Sequence, residues 1–107
     1  MTTYSFITDK IIQTLRDNHD NTDFGTESIA DKPVVVKFFN PYGVGDWWAY
    51  SMDEHNRLFG IADIHEPEYG SFNLSELRLN SVERDLYYCG PETFGEVMKE
   101  RKEMQHG

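Results

Sequence analysis

The feature that most constrains this chain is a series of β-forming runs whose connections are too short to hold a helix. The runs are Val-Val-Val-Lys-Phe-Phe at 34–39, Asp-Trp-Trp-Ala-Tyr-Ser-Met at 46–52, Leu-Phe-Gly-Ile-Ala-Asp-Ile at 58–64 and Tyr-Gly-Ser-Phe at 69–72. All are rich in β-branched or aromatic residues. Turn-forming residues separate them: Asn-Pro-Tyr-Gly-Val-Gly at 40–45, Asp-Glu-His-Asn-Arg at 53–57 and His-Glu-Pro-Glu at 65–68. Parallel neighbours need a crossover of a dozen or more residues, whereas connections of about five residues close antiparallel hairpins. The spacing therefore predicts a sequential antiparallel meander.

Helices flank it. Tyr4, Ile7, Ile11, Ile12 and Leu15 fall on one stripe of period 3.6, which predicts a helix over residues 4–17. Thr8 is placed to cap it, with Asp9 favourable in its first turn. Residues 18–32 are polar and turn-rich and read as an exposed acidic connection. Asn73-Leu-Ser-Glu76 matches a capping box and predicts a short helix at 74–79. The alternation in Val82–Tyr88 predicts a last strand, broken by Gly90-Pro91. Thr93-Phe-Gly-Glu96 is a second capping box, opening a helix to about Met104, with 105–107 as a frayed tail. The 107 residues suit one small domain. The expected class is α+β: a four- to five-stranded antiparallel meander sheet with one face packed against the N- and C-terminal helices.

Charge narrows the partners. Nineteen Asp and Glu stand against ten Lys and Arg, a formal net charge of −9. Contacts to phosphate need Lys and Arg, so direct binding to nucleic acid or to an anionic membrane is not expected. Cys89 is the single cysteine, and the opening residues lack the basic start and apolar run of a signal peptide. Both point to a cytoplasmic setting. No run approaches the ~20 apolar residues of a membrane span.

Few constellations carry chemistry. Asp63, His65, Glu66 and Glu68 lie within six residues, with His55 one strand away, and imidazole with carboxylates can hold a divalent metal. The spacing matches no zinc signature, so a solvated acidic turn is the plainer reading. Cys89 precedes Gly90-Pro91 near a helix start, yet no catalytic signature surrounds it. Gly43 and Gly45 lack the Gly-Lys-Ser/Thr and following helix of a phosphate loop. Tyr42, Trp47, Trp48, Tyr50 and Phe59 could stack on bases, but residues 38–77 hold seven acids and one Arg. Neighbouring Trp47 and Trp48 must point to opposite sides of their strand. One fills the main core; the other needs cover from a helix or from a partner.

The order of motifs carries a resemblance. Val-Val-Lys-Phe-Phe-Asn-Pro-Tyr-Gly, Asp-Trp-Trp-Ala-Tyr, Leu-Phe-Gly-Ile-Ala-Asp, Tyr-Gly-Ser-Phe-Asn-Leu-Ser-Glu-Leu and Val-Glu-Arg-Asp-Leu-Tyr-Tyr follow one another, after a helical segment Phe6–Arg16. Together they resemble domain of unknown function twenty-nine fifty-eight, a family of small bacterial, plasmid and phage proteins. The resemblance implies no activity; it implies a mobile-element or phage setting inside a bacterial cell.

Charge and setting together lead to a non-enzymatic acidic interaction protein that needs no cofactor. It would bind, and inhibit, a host protein acting on nucleic acid, because carboxylates can compete for the Arg and Lys that grip phosphate. Asp17, Asp20, Asp23, Glu27 and Asp31 could contribute an acidic row. The expected partner surface is Asp46, Trp47, Trp48, Asp53, Glu54, Asp63, Glu66 and Glu68. Two other readings stand beside it: a small metal-dependent enzyme centred on Asp63, His65 and Glu66, and a homo-oligomeric assembly component.

Overall fold

The structure is a computed structural model that describes residues 6–22, 28–88 and 92–106. Tyr4, Asp23, Glu27, Cys89, Gly90 and Pro91 lie outside the described residues, and so do the roles suggested for them.

Five strands form one antiparallel sheet: β1 (Val36–Phe39), β2 (Asp46–Met52), β3 (Arg57–Asp63), β4 (Pro67–Asn73) and β5 (Glu83–Arg84), in the order β4-β3-β2-β1-β5. All three expected hairpins form, but the third turn is tighter than 65–68, since Pro67 and Glu68 already belong to β4 and pair with Asp63 and Ala62. β5 does not continue the meander beside β4. The chain passes through helix α2 (Leu74–Leu79) and returns to the opposite edge, pairing with β1 through Phe38↔Arg84 and Phe39↔Glu83.

β5 is much shorter than the strand expected over 82–88. Asp85 ends it: its backbone N–H still bonds the Lys37 carbonyl at 2.9 Å, but its carboxylate accepts the Tyr87 N–H at 3.0 Å. That Asx turn swings Tyr87 into solvent.

Helix α1 (Asp9–Asn21) starts at Thr8, whose hydroxyl accepts the Ile11 N–H at 3.2 Å. It runs past Arg16 and Asp17 because later residues are tied down. Asn18 donates to the Tyr50 carbonyl at 2.8 Å, and Thr22 shares a 2.8 Å hydrogen bond with the Tyr50 hydroxyl. The 18–32 segment is thus helical at its start, and it ends in a 3-10 turn at Ile29–Asp31. Helix α3 (Phe94–His106) opens on the expected box: Glu96 N–H to Thr93 Oγ1 at 3.2 Å and Thr93 N–H to Glu96 Oε1 at 3.0 Å. It extends two residues beyond Met104, into the expected tail.

The helices divide between the two faces of the sheet rather than sharing one. Leu15 of α1 and Leu74 and Leu77 of α2 pack with Val36, Phe38, Trp47, Ala49, Met52 and Leu58. Phe94 and Val97 of α3 pack with Val34, Trp48, Tyr50 and Ile61 on the other face. The reason lies in β2. Its residues from Trp47 to Met52 are all buried, so both of its sides need cover.

A bulge in β2 tunes this division. Ala49 pairs with Gly60 and Ser51 with Phe59, leaving Tyr50 as the extra residue. The parity then reverses, so Tyr50 lies in the α3 core and Met52 in the α1 core. Gly60 is required there, since a Cβ at this position would sit 1.9 Å from the Trp48 carbonyl oxygen.

Candidate functional site

Both tryptophans are internal. Trp47 is 8% exposed and belongs to the α1 core; Trp48 is 3% exposed and belongs to the α3 core. Neither is an exposed anchor, because each face of β2 has its own helix; Trp47 keeps only a small exposed part, which lines a groove on the α1 face. The sequence left open whether the second Trp met a helix or a partner, and α3 answers it.

Asp63 is buried too, and Asp46 is partly covered beside it. They are paired across β2 and β3 on the α3 face, where two facing carboxylates would repel. Arg101 of α3 resolves this. Its Nε donates to Asp63 Oδ2 at 2.7 Å and its Nη2 to Asp46 Oδ2 at 2.9 Å. Lys37 lies 3.7 Å from Asp85 and 4.0 Å from Asp46. Both cations sit over the Trp48 ring, Lys37 at 5.4 Å and Arg101 at 5.2 Å from its centroid. Burial alone would lower the Arg101 pKa; the Asp63 hydrogen bond and the two carboxylate charges outweigh it and raise it. The cluster pins α3 to the sheet.

The remaining acids split between opposite ends of the sheet. Asp53 and Glu54 occupy the β2–β3 turn, whereas Glu66 and Glu68 follow β3 at the other end. One strand length separates the groups, about 23 Å at ~3.3 Å per residue, so they form two sites and not one row. Asp53 is engaged by its own turn, accepting N–H groups of His55 and Arg57 at 2.9 Å each. The Arg57 N–H is the main cause that holds its carboxyl below the ordinary range. Glu54 lies 3.6 Å from His55, and Arg16 and His19 share the neighbouring hollow with Asp20. That end is therefore mixed in charge.

The metal reading does not assemble. Asp63 turns under α3 to Arg101, whereas His65 and Glu66 are exposed on the turn. Among the described residues, no group of three or more His, Cys, Asp and Glu is placed to hold a metal ion.

What the sequence did not reveal is a largely apolar groove of about 490 Å³ on the α1 face, running from Val44 and Ile64 at the Glu66 end of the sheet to Phe72 and Asn73 towards the other end. Trp47, Ala62, Phe72 and Leu77 line it, and Val44 and Ile64 stand exposed at its mouth. Glu76 lines its α2 side. Tyr42, in the same β1–β2 loop as Val44, is 81% exposed. The loop is shaped by Asn40, whose side chain accepts the Tyr42 N–H and donates to the Val44 carbonyl. Gly45 closes it at φ 133°, against the Trp47 ring. The signal was present: Tyr42 and Val44 are large apolar residues within a turn-forming hexapeptide.

No helix among the described residues is long and apolar enough to cross a membrane. No curated protein and no solved structure matches the chain. A family model described as Protein of unknown function (DUF2958) matches residues 6–104. That span holds all five strands and nearly all of the three helices, and so the chain belongs to the DUF2958 family.

Proposed function

We infer that this protein is a non-enzymatic interaction protein of a mobile element or phage. It binds and inhibits a host protein that acts on nucleic acid. The supporting observation is the groove end of the sheet. Val44 and Ile64 are exposed beside a hollow lined by Trp47 and Leu77; Glu76 lines the hollow itself, and Glu66 and Glu68 stand exposed on the chain just after Ile64. A partner with an apolar side chain flanked by Lys or Arg would bury the first and pair with the second. Proteins that grip phosphate carry such basic surfaces, and the net charge of −9 would steer the encounter. Tyr42 replaces the tryptophans as the exposed aromatic anchor.

Affinity capture from bacterial lysate, with parallel low-salt and high-salt washes, tests this reading. The expected result is a nucleic-acid-acting protein retained at low salt and shed at high salt. Glu66→Lys with Glu68→Lys should abolish retention, whereas Glu54→Lys at the other end should reduce it little. Retention that ignores reversal at Glu66 and Glu68 would sink the proposal.

A further inference from the structure

The two edges of the sheet are built differently. β5 is a two-residue edge ended by the Asp85 turn. β4 is a seven-residue edge in unbroken register with β3, from Arg57↔Asn73 to Asp63↔Pro67. Edges of this length are ordinarily blunted by lysine, by a bulge or by an internal proline. β4 has none: its proline is its first residue and its one charged residue is Glu68.

The register shows which backbone groups face outward. The Leu74 N–H bonds the Asn56 carbonyl at 3.2 Å, which makes Asn56–Leu74 a hydrogen-bonded pair in the β3–β4 ladder. Alternation from there turns the N–H and C=O of Glu68, Gly70 and Phe72 towards β3. Those of Tyr69 and Ser71 point away from the sheet, and no described residue bonds to them. Pro67 and Asn73 share that outward phase at the two ends.

We propose that β4 pairs with the β4 of a second copy, antiparallel about a two-fold axis through Gly70, joining two sheets into one. The phase of the strand fits this symmetry. Tyr69 meets Ser71 of the second copy and Ser71 meets Tyr69, and both pairs exchange N–H···O bonds. Asn73 N–H reaches the Pro67 carbonyl, where the missing proline donor costs nothing. Gly70 meets Gly70 in the close, non-hydrogen-bonded position, and open space surrounds it, with nothing within 4 Å of a Cβ built there. The single charge of the strand, Glu68, falls opposite Phe72 rather than opposite its own copy, so no like charges oppose one another. Tyr69, 39% exposed on the α3 face, gains cover from the facing Ser71.

Two chains of charge −9 repel at long range, and salt screens that repulsion. Self-association should therefore strengthen with ionic strength, opposite in sign to the binding of a basic partner, so the two readings fail separately.

Sedimentation of the full chain across concentration, at low and high salt, is the first test. The expected result is a dimer favoured by salt and weakened at least tenfold by Ser71→Pro, which removes an outward N–H that β3 does not use. Crosslinking supplies the second. In a Cys89→Ser background, Gly70→Cys should form a disulfide-linked dimer, because the Cα atoms of a close pair lie about 4.5 Å apart. Glu68→Cys, about 13 Å from its copy at ~3.3 Å per residue, should not. A wild-type monomer at every concentration and salt would overturn the proposal and leave the edge to another protein's strand. So would a dimer indifferent to Ser71→Pro, or equal crosslinking at residues 68 and 70.

Discussion

The two faces of the sheet are closed by different physics. On the α1 face the cover is apolar: Leu15, Phe38 and Leu58 are fully buried, and Phe6 stacks on Phe38 with ring centroids 5.1 Å apart. On the α3 face the apolar patch of Phe94, Val97, Ile61 and Trp48 stops short of the end of the sheet, and Arg101 completes it through Asp46 and Asp63. Area burial is non-directional, so the apolar part of the first face does not by itself fix α1, whose C-terminal end is held instead by the Asn18 and Thr22 hydrogen bonds to Tyr50. The second face fixes one position of α3, because a displaced Arg101 would strand a carboxylate that is nearly buried.

Breaking each face should separate these modes. Phe38→Ala removes a fully buried ring and should cost about 3–5 kcal/mol in urea unfolding. Asp63→Ala should cost about 2–4 kcal/mol, since it leaves the partly buried Arg101 with one carboxylate fewer. It should also raise hydrogen exchange along α3 while leaving α1 protected. Equal loss of protection in both helices would refute the separation of the faces.

Tyr50 joins the two faces. Its ring packs edge-on against Phe94 at 6.1 Å, and its hydroxyl meets Thr22 beyond the end of α1. Tyr50→Phe should cost about 1 kcal/mol, and a double-mutant cycle with Thr22→Val should show the two changes to be coupled rather than additive.

The smallest effect is at the start of α3. The Thr93 N–H, and then its hydroxyl, hold the Glu96 carboxyl below the ordinary carboxylate range. A group depressed on folding stabilises the fold above its unfolded pKa and loses that contribution as pH falls through the folded value. Glu96→Gln should therefore flatten the acid limb of Tm against pH slightly. Thr8→Ala, which removes the hydroxyl cap of α1, should shift Tm without changing that limb.

Much of the fold was legible because its signals are local. The Thr8 cap, the Thr93–Glu96 box, the start of α2 and the limits of β2 depend on residues within a few positions of one another. The β3–β4 hairpin followed from its turn residues, although β4 proved longer than 69–72. The partner surface was less legible. Of its eight residues, Trp48 and Asp63 were buried and Asp46 was partly covered when α3 took the second face, while Trp47 went into the α1 core. Nothing within the run Asp46-Trp47-Trp48 states that an arginine some fifty residues later will cover it.

The sequence by itself determined the antiparallel hairpins, the helix caps and the acidic balance, because turn length, hydrogen-bond reach and charge are properties of short segments or simple sums. The tertiary structure decided which face each helix covers, where β5 lies, which acids remain at the surface and which strand edge stays open. Those outcomes depend on contacts between distant residues, such as Arg101 with Asp46 and Phe38 with Arg84. They are set by filling two faces of one sheet at once, and no local pattern records that competition.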